Sequence, residues 1–264
     1  MITYDLPAAD YHAIDALSAS GAKLLLKSPA HYLAAKEHQR DPTPAMAFGS
    51  LVHSLVLEPD TVDALYIAAP KFDKRTTAGK AAAKKFDATA GGRTVVEMDL
   101  FQKAQRVGDS VRSHHRYSEL LKGAKFEASM FWDQHGVPCK ARADALNGSS
   151  IIDIKTTRDA SPDGFARSVA TFQYHLQAAH YLDGYSIASG FPADRFVFLA
   201  VETEPPFAVG VYVLDAASLA GGAEMMSQAA RGYRIAKNAS AWKGYSPDIV
   251  EIAVPRYAMP VEMG

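Results

Sequence analysis

The sequence predicts a mixed α/β (α+β) protein: a central β-sheet holding a three-strand antiparallel meander, flanked by helices, with a helical N-terminal elaboration. Three observations carry this expectation. Residues 1–122 read mainly as helix. From Phe126, FEASMFWD, CKARADAL and SIIDIK are short runs separated by QHGVP and NGS, both good turn chemistry. PDGFARSVATFQYHLQAAHYLDGYSIA then has helical spacing and length, and RFVFLAVET and AVGVYVLD follow as two strands joined across Pro205 and Pro206. Helices, a meander, a helix and more strands build a mixed sheet with helices on its faces.

The elements follow in order. LSASGAKLLLKSPAHYLAAKEHQ, Leu17 to Gln39, reads as helix; Ser18 or Ser20 supplies the N-cap, and Pro29 either breaks the run or starts a second helix. PAMAFGSLVHSLVLEP, residues 44–59, is apolar nearly all round and predicts a buried helix. Residues 93–122 look helical again. After the meander, the long helix and the strand pair, a further helix covers roughly residues 216–236, and DIVEIAVPRY is a candidate last strand. No linker composition divides the chain, so one domain over 1–264 is expected. Within it lie a mainly helical part (1–122), a catalytic core (123–215) and a C-terminal helix and tail (216–264).

The composition, 264 residues with 48% hydrophobic and 22% charged, is that of an ordinary globular chain. No apolar stretch is long enough for a membrane span, and the N-terminus lacks a secretory signal, so a cytoplasmic location is expected. Cys139 is the only cysteine, which excludes an internal disulfide and a self-contained four-cysteine zinc or iron–sulfur site. A net charge of −1 does not advertise a nucleic-acid binder, but a local basic stripe is enough to contact phosphates. KFDKRTTAGKAAAKKFD, residues 71–87, is such a stripe, with six basic residues against two acidic ones; it is otherwise a solvated loop or helix face.

The chemistry concentrates in SSIIDIKTT, residues 149–157, where Asp153 and Lys155 interrupt an apolar run. Buried charges are usually paired or metal-bound. Strand alternation puts both on one face and Ile152 and Ile154 on the other. A turn centred on Gly148 and Ser149 sets Asp144 opposite Asp153 on that same face. Two facing carboxylates repel unless a cation lies between them. Carboxylates, a backbone carbonyl and water suit a hard ion such as Mg²⁺ or Mn²⁺, and a neighbouring lysine orients an attacking water. Phosphodiester hydrolysis uses these parts.

FEASMFWDQHGVPCKARADALNGSSIIDIKTT resembles the core of the PD-(D/E)XK nuclease superfamily, with an upstream Glu, a Gly turn, an Arg-x-Asp strand and a D-x-K-T strand in the family's order. Within it, the chain resembles RecB-type and RecE-type (exonuclease VIII) nucleases of recombination and phage systems. The resemblance implies a restriction-endonuclease-like core. It makes Asp144 and Asp153 the metal-binding acids, Lys155 the catalytic lysine and Glu127 the upstream acid. FQYHLQAAHY places Gln173, Gln177 and Tyr181 four residues apart on one helix face. Gln177 and Tyr181 match the family's Q-x-x-x-Y helix, with Gln173 and Tyr174 just upstream. Gly49 to His53 matches a G-x-x-x-H helix whose histidine serves metal or water; alone, such a histidine is a hydrogen-bonded core residue. SASGAKLLLKSPAHY resembles the start of these domains, and a lone Cys139 places the comparison with their cluster-free branch.

The expected activity is that of a Mg²⁺-dependent deoxyribonuclease, foremost an exonuclease on linear double-stranded DNA ends, with Mn²⁺ as substitute and no iron–sulfur cluster. Asp144, Asp153 and the Ile154 carbonyl hold one metal, and either Glu127 or His53 serves a second position. Gln173, Tyr174, Gln177 and Tyr181 position the strand, single-stranded or duplex, and Lys71, Lys74, Arg75, Lys84 and Lys85 form a candidate channel wall. The resemblance also implies a homo-oligomer and a single-strand annealing partner. The alternatives are an endonuclease on the same core and a non-catalytic DNA-binding or assembly protein.

Overall fold

The computed structural model describes residues 1–38, 41–255 and 258–259. The N-terminal part runs β1 (Ile2–Thr3), α1 (Ala8–Ala13), α2 (Ala19–Lys27), α3 (Pro29–Glu37), α4 (Pro44–Leu57), α5 (Val62–Leu65), β2 (Tyr66–Ala69), α6 (Thr77–Thr89), β3 (Thr94–Glu97), α7 (Met98–Ser113) and α8 (Tyr117–Leu121). The rest comprises β4 (Lys125–Gln134), β5 (Val137–Asn147), β6 (Ser150–Thr157), α9 (Pro162–Thr171), α10 (Tyr174–Ser189), β7 (Arg195–Glu202), β8 (Val209–Tyr212) and α11 (Ala216–Asn238).

Local chemistry explains most boundaries. Ser18, not Ser20, caps α2 by accepting from the Gly21 N–H at 3.2 Å. Pro29 starts α3 rather than breaking a single helix, because its fixed φ suits the first helical turn; Ser28 caps it through the His31 N–H. Gln39, the end of the expected helix, lies outside the described residues. The helix expected over residues 93–122 is corrected at its start and is divided into α7 and α8 at residues 114–116. Thr94, Val95 and Val96 are β-branched, and β3 pairs in parallel with β2 as a separate two-stranded sheet.

The main sheet has the order β1-β4-β5-β6-β7-β8, with only β6 and β7 parallel. It is therefore mixed, contains the expected meander, and uses α9 and α10 as the crossover that a parallel pair requires. The expected last strand at DIVEIAVPRY does not form. Residues 248–255 are irregular, with Ile249, Ile252 and Val254 exposed, and Arg256 and Tyr257 lie outside the described residues. Alternating residues make a strand only where a ladder accepts them.

Two apolar clusters sandwich the sheet. Phe196, Phe198 and Ala200 of β7 face one, with α2, α9, α10 and α11; Val197, Leu199 and Val201 face the other, with α4 and α7. This alternation along one strand fixes which face of β6 receives which side chains. Ile152 and Ile154 join the α4–α7 cluster, so Asp153 and Lys155 point toward α2 and α10. Among the described residues no helix is long and apolar enough to cross a membrane.

Candidate active site

The NGS hairpin adopts the expected register: Ala145 pairs with Ile152, Leu146 with Ile151 and Asn147 with Ser150. Gly148 takes φ +60, a conformation that tight turns need and L side chains resist. The ladder then ends. β6 continues beside β7 to Thr157, while β5 parts from β6 at Asp144. The β4–β5 ladder is also broken there: no pair forms between Phe126–Ala145 and Ala128–Ala143, and Glu127 takes φ +51.

This parting exposes the Ile154 backbone, and side chains complete it. Asp144 Oδ2 accepts the Ile154 N–H at 2.7 Å. From α4, His53 Nε2 donates to the Ile154 carbonyl at 2.7 Å, and its Nδ1 lies 3.4 Å from Asp144 Oδ2. Burial, with the charge of Asp153 adding to it, pushes the Asp144 carboxyl up to about 6 against His53, Lys155 and the Ile154 amide.

Asp153 is 2% exposed. Gln177 of α10 donates to its Oδ1 at 2.8 Å, and Lys155 Nζ lies 2.5 Å from its Oδ2. That oxygen is fully buried, and the ammonium of Lys155 is the charge that faces it. For Lys155, burial opposes the charge, but Asp153 and Asp144 outweigh it and hold the ammonium above the ordinary lysine range. Lys155 is thus a cation at neutral pH, suited to donating rather than accepting a proton.

Tyr174 opens α10 beside this pair, with Lys155 Nζ 4.9 Å from its ring centroid and Lys23 Nζ of α2 at 5.4 Å. Lys23 has no carboxylate within ion-pair distance among the described residues. Burial first, then the Lys155 charge, pushes it down to about 8, with Asp153 opposing. An ammonium placed this way can hold an anion. Lys23 carries no local sequence signal, because only the packing of α2 against α10 brings it to β6.

The structure assembles the remaining candidates unevenly. Tyr181 is partly buried on α10, its hydroxyl pushed well above the usual range by burial, Tyr11, Asp153 and Asp144. Gln173, at the start of α10 with φ 53, makes no side-chain cap hydrogen bond. Glu127 lies beside the break in the β4–β5 ladder, but its carboxylate pairs with Arg142 at 2.5 Å. Lys71, Lys74, Arg75, Lys84 and Lys85 lie in α6 and the loop before it, and Arg75 pairs with Asp73 at 3.0 Å. Their segment borders the β2–β3 sheet rather than the Asp144–Asp153 cluster.

The donor set fits a hard divalent cation. The buried Oδ2 of Asp153 and the mutual repulsion of Asp153 and the partly buried Asp144 are both relieved by positive charge between them. Among the described residues no three His, Cys, Asp or Glu side chains converge on one point, so a third donor falls to the Ile154 carbonyl, which keeps a lone pair after accepting from His53.

The family described as "PDDEXK-like domain of unknown function (DUF3799)" matches residues 18–250. The chain belongs to this family. Membership of the PD-(D/E)XK superfamily accords with the Asp144, Asp153 and Lys155 arrangement. No curated protein matches the chain. The crystal structure of a "Putative exonuclease" from Eubacterium rectale superposes on this PDDEXK-like chain with a TM-score of 0.68 at 14% identity, covering 96% of this chain and 97% of that one. That likeness shows a shared fold over nearly the whole of both chains.

Proposed function

We propose that the chain is a divalent-cation-dependent deoxyribonuclease, an exonuclease acting on the ends of linear double-stranded DNA. The observation that carries this reading is the pair of carboxylates, Asp144 and Asp153, at the point where β5 leaves β6, with the Lys155 ammonium on Asp153. A non-catalytic binder gains nothing from two acids beside a phosphate.

Asp144, Asp153 and the Ile154 carbonyl would hold the cation, Mg²⁺ or Mn²⁺, with His53 keeping Ile154 in place. A cation held there would supply Lewis-acid polarisation of the scissile phosphoryl group and a more acidic bound water. Lys155 donates to the attacking water or to a non-bridging oxygen, and its raised proton affinity keeps it charged. Gln177 fixes the Asp153 carboxylate through Oδ1. Lys23 and Tyr174 meet the strand next to the scissile bond, offsetting phosphate charge that the near-neutral chain as a whole does not.

The RecE-type resemblance favours exonuclease over endonuclease, an oligomer around DNA and an annealing partner. Incubation with Mg²⁺ and equimolar linear or covalently closed circular duplex tests the polarity-independent part. Digestion confined to the linear form supports the reading. Equal digestion of closed circles makes the chain an endonuclease, and none of either form overturns the hydrolytic assignment.

A further inference from the structure

Beside Tyr174, a groove of about 620 Å³ opens between α4 and α7 on one side and α9 and the start of α10 on the other. Its wall is unusual for a site facing a polyanion. Phe172 is 55% exposed and Leu100 39% exposed, and Phe48 and Tyr174 also line it. The Phe172 and Tyr174 rings lie 5.5 Å apart at 31°, forming a shelf that continues to the ring approached by Lys155 and Lys23. Charges of both signs sit at the edge: Arg158 is exposed, Asp159 lines the groove beside it, and Lys103 lies 5.8 Å from the Phe48 ring while pairing with Glu204. The cations facing a phosphate are therefore Arg158 and, past Tyr174, Lys155 and Lys23.

The chemistry selects an occupant. A duplex presents phosphates outward and keeps its bases stacked inside, so an apolar aromatic shelf offers it nothing. An unpaired strand exposes base faces, and every base can stack on an aromatic ring while its phosphates follow nearby cations. The left-handed backbone of Gln173, φ 53 and ψ 45, sets Phe172 and Tyr174 on either side of the bend that starts α10.

We propose that this groove is a stacking subsite for unpaired bases next to the scissile phosphodiester, with Phe172 as its platform. The strand is therefore single-stranded on one side of the cleaved bond, either throughout or through fraying of a duplex end. This rests on the nuclease reading above for its position, but its test does not require cleavage.

A single-stranded oligonucleotide carrying 2-aminopurine is titrated with the protein in EDTA, alongside the same probe locked in a duplex without free ends. Stacking quenches the single-stranded probe, and Phe172→Ala weakens its binding by about tenfold, whereas Phe172→Trp retains it. Phe172 is mostly exposed, so the alanine variant does not threaten folding. Ile235→Ala on the exposed side of α11 serves as a control of similar apolar loss. Equal binding by wild type and Phe172→Ala, or equal quenching in the closed duplex, overturns the subsite. Quenching without Mg²⁺-dependent cleavage would retain the subsite and reject the nuclease reading instead.

Discussion

At the scale of single residues, the site depends on how few partners each charge has. Asp153 is held by Gln177 and Lys155, Asp144 by the Ile154 amide and His53, and Lys23, among the described residues, faces a tyrosine ring and no carboxylate. If Lys23 contacts a backbone phosphate, Lys23→Ala weakens DNA binding and reduces the slope of log Kd against log salt by about one, while Lys23→Arg preserves it. Anisotropy titrations over a salt series measure this, and an unchanged slope removes Lys23 from the interface. A second prediction concerns His180, which is fully buried 4.6 Å from the Trp132 ring and donates from Nε2 to the Lys140 carbonyl at 3.1 Å. Burial pushes it down to about 4, only partly opposed by that hydrogen bond. The folded chain therefore stays neutral there while the unfolded chain binds a proton as pH falls below about 6.5. The stability is fully present above that pH and is lost toward pH 4, by about 3 kcal/mol. Urea unfolding at both ends of this window shows the loss for wild type and a flatter response for His180→Gln; parallel losses contradict it. Sequence reading reached Asp144, Asp153 and Lys155 because turn chemistry and strand alternation suffice to put them on one face. It did not reach Lys23, and it could not see that Arg142 holds Glu127, since both depend on how side chains pack across elements.

At the scale of elements, α10 must lie close to the sheet for Gln177 to touch Asp153. Gly184 permits this: a Cβ there would fall 2.4 Å from the Trp132 ring. Gly184→Ala is expected to push α10 outward, costing about 1–3 kcal/mol. Because Gln177 is on the same helix, cleavage falls as well as the unfolding midpoint. Gly221→Ala on α11, where nothing lies within 4 Å, is the control and does neither. Were both variants equally stable, α10 would not be held where this contact puts it. The meander was legible because NGS and the HG of QHGVP mark turns: His135 takes φ 55, Gly136 φ 81 and Gly148 φ 60. β1 was not legible, since two residues pairing with Met130 and Ser129 leave no local pattern. β3 was hidden by the helical spacing of α7 immediately after it.

At the scale of the whole molecule, one sheet serves two clusters, and the Asp153–Lys155 face of β6 is the one covered by α2 and α10. The mixed sheet and its helical layers were legible from the order of elements; the partnership of distant pieces, α2 with α10 and α4 with the Ile154 backbone, was not. Family membership over residues 18–250 and the TM-score of 0.68 fix the fold, while the proposed hydrolysis rests on Asp144, Asp153 and Lys155. The most direct measurement is single-turnover cleavage of end-labelled linear duplex by wild type, Asp153→Ala and Lys155→Ala, in Mg²⁺ and in EDTA. The arrangement predicts Mg²⁺-dependent product release by wild type, none in EDTA, and a loss of at least about a hundredfold for each variant. Cleavage by Asp153→Ala at the wild-type rate, or undiminished cleavage in EDTA, would contradict it.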